Sequence, residues 1–305
     1  MGNTVSIIII TYNRPKDLLD LLHSLNKQDS LEDLEETIIL DNASTVSYDD
    51  VKAFAEQHPR LKTTFISVPE NLGVARGRNL LMKRAKGNLL LVLDDDVLFT
   101  ATSDFRQLSN LFEKPFFKQA NTAVITPRVI YHDNKQVQKT AFPHKDYESY
   151  AAKKQFLASY YIGCAHLMKK EVLDKTGVYP EDFFYGMEEY DLGYRILNEG
   201  YSIGYDAEVT LEHKESSLGR QPHHKKLQMQ WLNKSKVAWR YLPFVYFITT
   251  AVSWSFEYLF KTKGHLGSYF LSWLKIFQIP FSEKRRLLNK KTRSYLKKTE
   301  ARLWY

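Results

Sequence analysis

Three adjacent carboxylates, Asp94-Asp95-Asp96, directly follow an apolar run. Like charges this close repel, so a strand that ends in them is costly unless a cation binds. Hard oxygen ligands of this kind suit Mg2+ or Mn2+ bridging a diphosphate. A solvated acidic loop is the plainer alternative, and the position just after an apolar run favours the cation. Asp41 also ends an apolar run, in Asp41-Asn42-Ala43-Ser44. Its carboxylate can accept a hydrogen bond from a nucleobase N–H, although Asp and Asn serve as readily in turns and caps. Asn71-Leu72-Gly73 opens a stretch carrying Arg76, Arg78 and Asn79. Arginines at a helix start can face a diphosphate, helped by the helix dipole, or can form a solvated basic face.

A second acidic cluster, Glu188-Glu189-Tyr190-Asp191, follows the aromatic run Phe183-Phe184-Tyr185-Gly186. Acids at a helix start gain from the dipole and can be simple caps. An acid crowded by acids and aromatics can instead have its pKa raised toward that of a general base. His213 follows a β-like run and matters only if it converges on the acidic triplet. The glycines of GxGxxG and the Gly-Lys-Ser/Thr ending of a Walker A loop are both missing. Their absence argues against a dinucleotide oxidoreductase and a P-loop NTPase.

The elements that must position these groups are legible from periodicity. Residues 5–10 are a continuous apolar, β-branched run, the mark of a strand buried on both faces. No positive segment precedes it, so a strand explains it better than a secretory leader. Pro15 suits a first helical turn, and Leu18, Leu21, Leu22 and Leu25 follow at helical spacing. Strands are expected at residues 37–40, 63–68 and 89–93, with helices at residues 51–57 and Gly73–Arg84. Strands alternating with helices imply a mostly parallel sheet flanked by helices, with ligands bound past the strand ends. Further on, strands are expected within residues 123–126, 155–168 and 201–205, and a helix at Glu188–Asn198 capped by Gly200.

The 305 residues carry a net charge of +8, unevenly spread. From Arg220 onward there are 18 Lys+Arg against three acids, a balance of +15; the remainder stands at −7. An acidic body (residues 1–219) with a basic, aromatic helical tail (residues 220–305) suggests two jobs, the tail preferring a polyanion. Residues 241–256 carry no charge, and residues 266–281 carry only Lys275. The first stretch is short of the roughly 20 residues of a membrane span and contains Pro243. An interfacial helix fits better, with Trp239, Tyr241, Trp254, Tyr258, Tyr269 and Trp273 at headgroup depth. Lys284, Arg285, Arg286, Lys290, Lys291 and Arg293 would reach anionic lipid. The alternatives are packing on the body or a homodimer contact. Cys164 is the sole cysteine, which rules out an intrachain disulfide and fits a reducing cytoplasm.

Together these segments resemble the family 2 glycosyltransferases with a GT-A fold, over about residues 4–215. The carriers are Val5-Ser6-Ile7-Ile8-Ile9-Ile10-Thr11-Tyr12-Asn13-Arg14, Asp41-Asn42-Ala43-Ser44, Asn71-Leu72-Gly73 with Arg78-Asn79, and Leu93-Asp94-Asp95-Asp96. The order continues through Gly163 to Lys170, Gly177, Phe183-Phe184, Asp191-Leu192, Arg195, Gly200-Tyr201 and His213. The resemblance implies an α/β, Rossmann-like fold and an inverting, metal-dependent transfer from a nucleoside-diphosphate sugar. Thr11, Asn13 and Asp41 would surround the nucleotide base and ribose, and Arg76 or Arg78 the base or diphosphate. Asp94 would lie near the ribose, and Tyr12, Arg14, Asn71, Gly73, Asn79 and Asp95 would complete the donor side. Asp96 would bind Mn2+ or Mg2+, with His213 as a further ligand. The family usually carries Glu-Asp where this chain has Glu188-Glu189. Glu189 is therefore the candidate base, with Glu188 and Asp191 as rivals.

The implied acceptor is a glycan or lipid-linked hydroxyl, with the protein peripheral on the cytoplasmic face of the cell membrane, in surface-polysaccharide synthesis. A nucleotidyltransferase is the nearest enzymatic alternative, but its Gly-rich, Lys-containing loop is not visible near residues 5–15. A catalytically inactive, membrane-bound nucleotide-sugar-binding scaffold is the non-enzymatic one. Nucleic acid ranks behind both as a partner.

Overall fold

The computed structural model describes residues 2–218 and 222–303. The boundary anticipated at residues 219 and 220 lies outside them. The strands are β1 (Val5–Thr11), β2 (Leu34–Asp41), β3 (Thr63–Ser67), β4 (Leu89–Asp94), β5 (Val97–Phe99), β6 (Thr122–Tyr131), β7 (Gln155–Ala158), β8 (Ala165–Lys169) and β9 (Ser202–His213). The larger helices of the first half are α1 (Pro15–Asn26), α2 (Asp49–Gln57) and α3 (Gly73–Arg84). Short helices follow: α4 (Asp104–Ser109), α5 (Pro115–Gln119), α6 (Tyr147–Tyr150) and α7 (Val172–Thr176). The chain ends in α8 (Glu188–Asn198), α9 (His223–Tyr241), α10 (Phe244–Thr262), α11 (Leu266–Ser282) and α12 (Lys290–Lys298).

One nine-stranded sheet runs β3-β2-β1-β4-β8-β6-β9-β5, with β7 paired to β9. β3, β2, β1 and β4 are parallel, as the strand–helix alternation implies. The sheet as a whole is mixed, not mostly parallel. The pairs β4–β8, β6–β8, β5–β9 and β7–β9 are antiparallel, and β6–β9 is parallel. After Asp94 the regular alternation of strand and crossover helix stops, and antiparallel neighbours do not need such crossovers.

Alternation along β1 builds both faces of the core. Val5, Ile7 and Ile9 pack toward Leu18, Leu21, Leu22 and Leu25 of α1. Ile8 packs on the other side with Ile38, Leu40, Leu90 and Val92. Parallel register then aligns the strand ends, with Thr11 opposite Asp41 and Ile10 opposite Asp94. That alignment brings three separate sequence motifs to one edge of the sheet.

The tail shares this core. Trp231 of α9 is fully buried, and its indole N–H donates to the Ala251 carbonyl at 3.0 Å. Tyr258, Tyr269 and Trp273 surround it at ring separations of 5.7, 5.6 and 5.5 Å. Tyr241 and Tyr258 are buried, and Trp239, Trp254, Tyr269 and Trp273 pack against the core. The aromatic residues expected at headgroup depth therefore pack inward, where the Trp231 and Trp239 indole N–H groups reach the Ala251 and Glu283 carbonyls. Their outward faces carry Phe, Leu, Ile and Val instead.

Candidate active site

The β1 and β2 ends are knitted together by their own polar side chains. Thr11 Oγ1 lies 2.7 Å from the Tyr48 hydroxyl, which also accepts the Arg14 N–H at 3.0 Å. Asn13 takes a left-handed backbone (φ 57°), donates its N–H to Ser44 Oγ at 2.9 Å and accepts from the Thr45 N–H at 2.8 Å. Asp41 Oδ1 accepts the Ser44 N–H at 2.9 Å, an Asx-type turn.

The start of α3 is fixed in the same way. Asn71 Oδ1 accepts from the Gly73 N–H at 2.9 Å and from Asn42 Nδ2 at 3.0 Å. Asn42 Oδ1 accepts the Leu72 N–H at 2.8 Å. Gly73 has φ +73°, and a Cβ there would lie 2.5 Å from the Phe184 carbonyl oxygen. Only glycine suits both demands. One turn into the helix the two arginines part company. Arg76 is exposed and pairs with Glu70 at 3.3 Å. Arg78 is buried, reaching Asp94 at 2.9 Å, the Gly163 carbonyl at 2.8 Å and Glu189 at 3.1 Å. Asn79 turns away from these carboxylates, exchanging hydrogen bonds of 2.9 Å each with the Tyr179 backbone.

The acidic triplet diverges. Asp94 faces Arg78. Asp95 is buried beside Arg14 at 3.0 Å; burial, reinforced by the Asp96 charge and opposed by Arg14, pushes its pKa up to about 7. Asp96 is buried, and its Oδ2 accepts the Ser216 N–H at 2.8 Å. Burial alone would raise Asp96, but His213 and Arg14 overcome it and hold the carboxyl below its ordinary range. Asp96 Oδ1 is buried without a hydrogen-bond partner among the described residues. His213 Nε2 faces it at 3.2 Å, within ion-pair range.

Register explains that approach. β5 begins one residue after Asp96, and its Val97 pairs with His213 at the end of β9. Gln138 sets the ring: its Nε2 donates to Thr140 Oγ1 at 3.1 Å, leaving its Oε1 to accept from His213 Nδ1 at 2.9 Å. The other nitrogen is thereby turned toward the carboxylates. Burial disfavours the charged ring, but Asp96 and Cys164 outweigh it and bring His213 up to about 11. Asp94, Asp96 and His213 each offer one ligand atom, all within 4.8 Å of one another. The Asp96 oxygen, which makes no hydrogen bond, and the oriented imidazole fit a divalent cation, which would take the place of the Nε2 proton. Two carboxylates and one nitrogen form a donor set for Mn2+ or Mg2+.

A cleft of about 260 Å³ opens over this triad, lined by Tyr12, Arg14, Asn42, Asn71, Gly73, Arg78, Asp94, Asp95, Asp96, Phe184, Tyr185, His213, Glu215 and Lys226. Thr11, Asn13, Asp41, Arg76, Asn79, Glu188, Glu189 and Asp191 are not in its wall. Glu188 and Glu189 stand behind Arg78, with Glu188 at 3.7 Å from it. Burial first, and the Glu189 charge second, push Glu188 well above the carboxylate range despite Arg78. Gly163 lets Glu189 reach Arg78, because a Cβ there would overlap the Glu189 carboxylate. Asp191 points away from the cleft, bound by Arg195 and Arg240 at 2.8 Å each and by the Tyr241 hydroxyl at 3.0 Å. It is thus the joint between α8 and α9.

Several participants escape motif reading. Tyr48 and Gln138 sit in irregular segments and act through one hydrogen bond each on Thr11 and His213. Lys226 belongs to the basic tail, where it is one of many lysines. Only the packing of α9 brings it to the cleft, 5.3 Å from the Tyr185 ring centre. Asn233 of the same helix donates to the Tyr185 and Gly186 carbonyls at 3.1 and 2.9 Å.

Strand ends that gather acids, a carboxylate–histidine constellation able to hold a cation and a cleft above it on a curled mixed sheet define a nucleotide-sugar-dependent glycosyltransferase with the GT-A fold. The chain belongs to glycosyl transferase family 2, whose sequence profile matches residues 6–177. It is 28% identical over 182 residues to an uncharacterised Haemophilus influenzae protein, covering 58% of this chain and 94% of that one. A mannosyltransferase of Pyrobaculum calidifontis, solved with GDP-Man and Mn2+, superposes with a TM-score of 0.58 at 17% identity, over 98% of this chain and 85% of that chain. GalNAc-T7, solved with UDP, GalNAc and Mn2+, superposes with a TM-score of 0.68 at 16% identity, over 99% and 58%.

Proposed function

We propose that this enzyme moves a sugar from a nucleoside-diphosphate sugar to a hydroxyl of a glycan or lipid-linked acceptor, by a single inverting displacement, in the synthesis of a surface polysaccharide. The observation that carries the reading is the Asp94, Asp96 and His213 constellation, in which the buried Asp96 Oδ1 makes no hydrogen bond and faces His213 Nε2. Similar folds solved with nucleotide, sugar nucleotide and Mn2+ support it.

In this reading the β1 and β2 loops, with Thr11, Tyr12, Asn13 and Asp41, hold the base and ribose. Asn71 and Gly73 shape the wall beside them. Arg78 aligns Asp94 and the acid pair of α8. Glu189 is the base that takes the proton from the acceptor hydroxyl, since it is the less buried of that pair. Mn2+ or Mg2+, when bound, neutralises charge on the departing diphosphate. The tail keeps the enzyme peripheral on the cytoplasmic face of a membrane. No helix among the described residues is long and apolar enough to cross one.

The test is a panel of nucleotide sugars with Mn2+ or Mg2+, read by thermal shift and by slow donor hydrolysis. A true donor raises the melting temperature with concentration. The expected result is a metal-dependent shift for one nucleotide family that Asp96→Ala abolishes. No shift with any nucleotide sugar would overturn the reading, and binding without any turnover would favour a scaffold.

A further inference from the structure

Exposed large apolar side chains are concentrated on one hairpin of the tail. On α10, Phe244, Ile248, Val252, Phe256 and Phe260 recur every fourth residue, all exposed. On α11, Leu266, Phe270, Leu274, Phe277 and Phe281 do the same at helical spacing, with Phe281 92% exposed. Both helices turn their opposite faces onto α9: Thr250, Ala251, Ser255 and Tyr258 from α10 are buried, as are Ser272, Ile276 and Ile279 from α11. Patches this apolar on a protein surface mark an interaction site.

We infer that the outward face of the α10–α11 hairpin lies in the plane of an anionic phospholipid bilayer, its phenylalanines and leucines among the acyl chains. This names the surface on which the peripheral reading above rests. Each helix is apolar on its outer side and anchored to protein on its inner side, which suits lying in an interface and not crossing it. Charge selects lipid over a second copy of the chain. Between Phe244 and Arg286 the acids are Glu257 and Glu283, and both are held in ion pairs, with Lys261 at 2.7 Å and with Arg240 at 2.8 Å. Lys263, Lys275, Lys284 and Arg286 are exposed along and beyond the hairpin. A two-fold pairing of this face would set like charges against each other, whereas anionic headgroups would meet them.

Apolar insertion, and not charge alone, is therefore what holds the protein. The test uses the full chain and vesicles of phosphatidylcholine mixed with phosphatidylglycerol, read by co-sedimentation. The wild type is expected to bind, and to stay bound at about 1 M salt, where the screening length falls to about 3 Å. The quadruple variant F256S, F260S, F277S, F281S should lose partitioning roughly tenfold or more. These side chains are exposed, so its melting temperature and nucleotide binding should be unchanged. No wild-type binding at low salt, complete release at high salt, or a solution dimer that the variant breaks without altering vesicle binding would each overturn the inference. Nucleotide binding on the same protein separates the two readings. Vesicle binding without nucleotide binding removes the enzyme and leaves the docking face, and the reverse removes only the face.

Discussion

Gln138 Oε1 accepts a hydrogen bond from His213 Nδ1 at 2.9 Å, and this contact decides which nitrogen the imidazole turns toward Asp96. Both residues are buried. Outer-shell partners of this kind tune a cation site through the ligand they orient. Gln138→Leu should weaken Mn2+ affinity by roughly 10–100-fold while the fold is kept. Isothermal titration of Mn2+ in the presence of a bound nucleoside diphosphate measures this. Unchanged affinity would mean that the cation does not use His213.

Glu189, the candidate base, and Asp191, one of its two rivals on α8, should fail differently. Glu189→Gln should lower turnover by roughly 10²–10⁴-fold with donor binding kept, the usual worth of a general base. Asp191→Ala should act on stability, because it removes the buried carboxylate that Arg195, Arg240 and Tyr241 share at this joint. Breaking such a pair costs about 3–5 kcal/mol. Steady-state rates beside denaturant unfolding separate the two. A stable Asp191→Ala protein with a collapsed rate would reverse the assignment.

Glu188 gives a pH signature. Its folded-state pKa is raised, first by burial and then by the Glu189 charge. The folded state therefore binds its proton more tightly than the unfolded chain. Stability from this group is present below the ordinary glutamate range and is lost as pH rises toward the raised value. Glu188→Gln, which mimics the protonated form, should leave the melting temperature of metal-free protein unchanged in mild acid. It should raise that temperature increasingly as pH climbs through neutrality. A difference that does not vary with pH would refute the raised pKa.

Lys226 should matter to the donor although it belongs to the tail. It stands in the wall of the cleft that also holds the acidic triplet. A lysine ammonium facing a diphosphate makes a charge-assisted hydrogen bond. Lys226→Ala should weaken nucleoside-diphosphate binding by roughly tenfold, and Lys226→Arg should restore most of it. Binding of the bare nucleoside should not change. Equal loss for nucleoside and diphosphate would point instead to a distorted cleft.

By itself the sequence determined the first half of the fold and the acids that gather at one edge of its sheet. The apolar run of β1, the leucine spacing of α1 and the acids at strand ends are local patterns. Each is set by the burial of neighbouring residues, so each can be read from a short window. The same holds for Gly73, where one residue type meets a local backbone demand. What the tertiary structure decided is pairing between distant segments. Nothing near His213 says that β9 runs beside β5, yet that register alone delivers the ring to Asp96. Nothing near Asp191 distinguishes it from Glu189; the arrival of Arg240 and Tyr241 from α9 does. Nothing near Arg76 and Arg78 tells which is buried. The tail shows the limit most clearly. Its Trp and Tyr rings and its phenylalanines both recur along helices that carry few charges, and only the docking of α10 and α11 on Trp231 turned the first set inward and left most of the second exposed. Helical periodicity gives the angle between side chains, whereas the direction of the core is a property of the assembled fold.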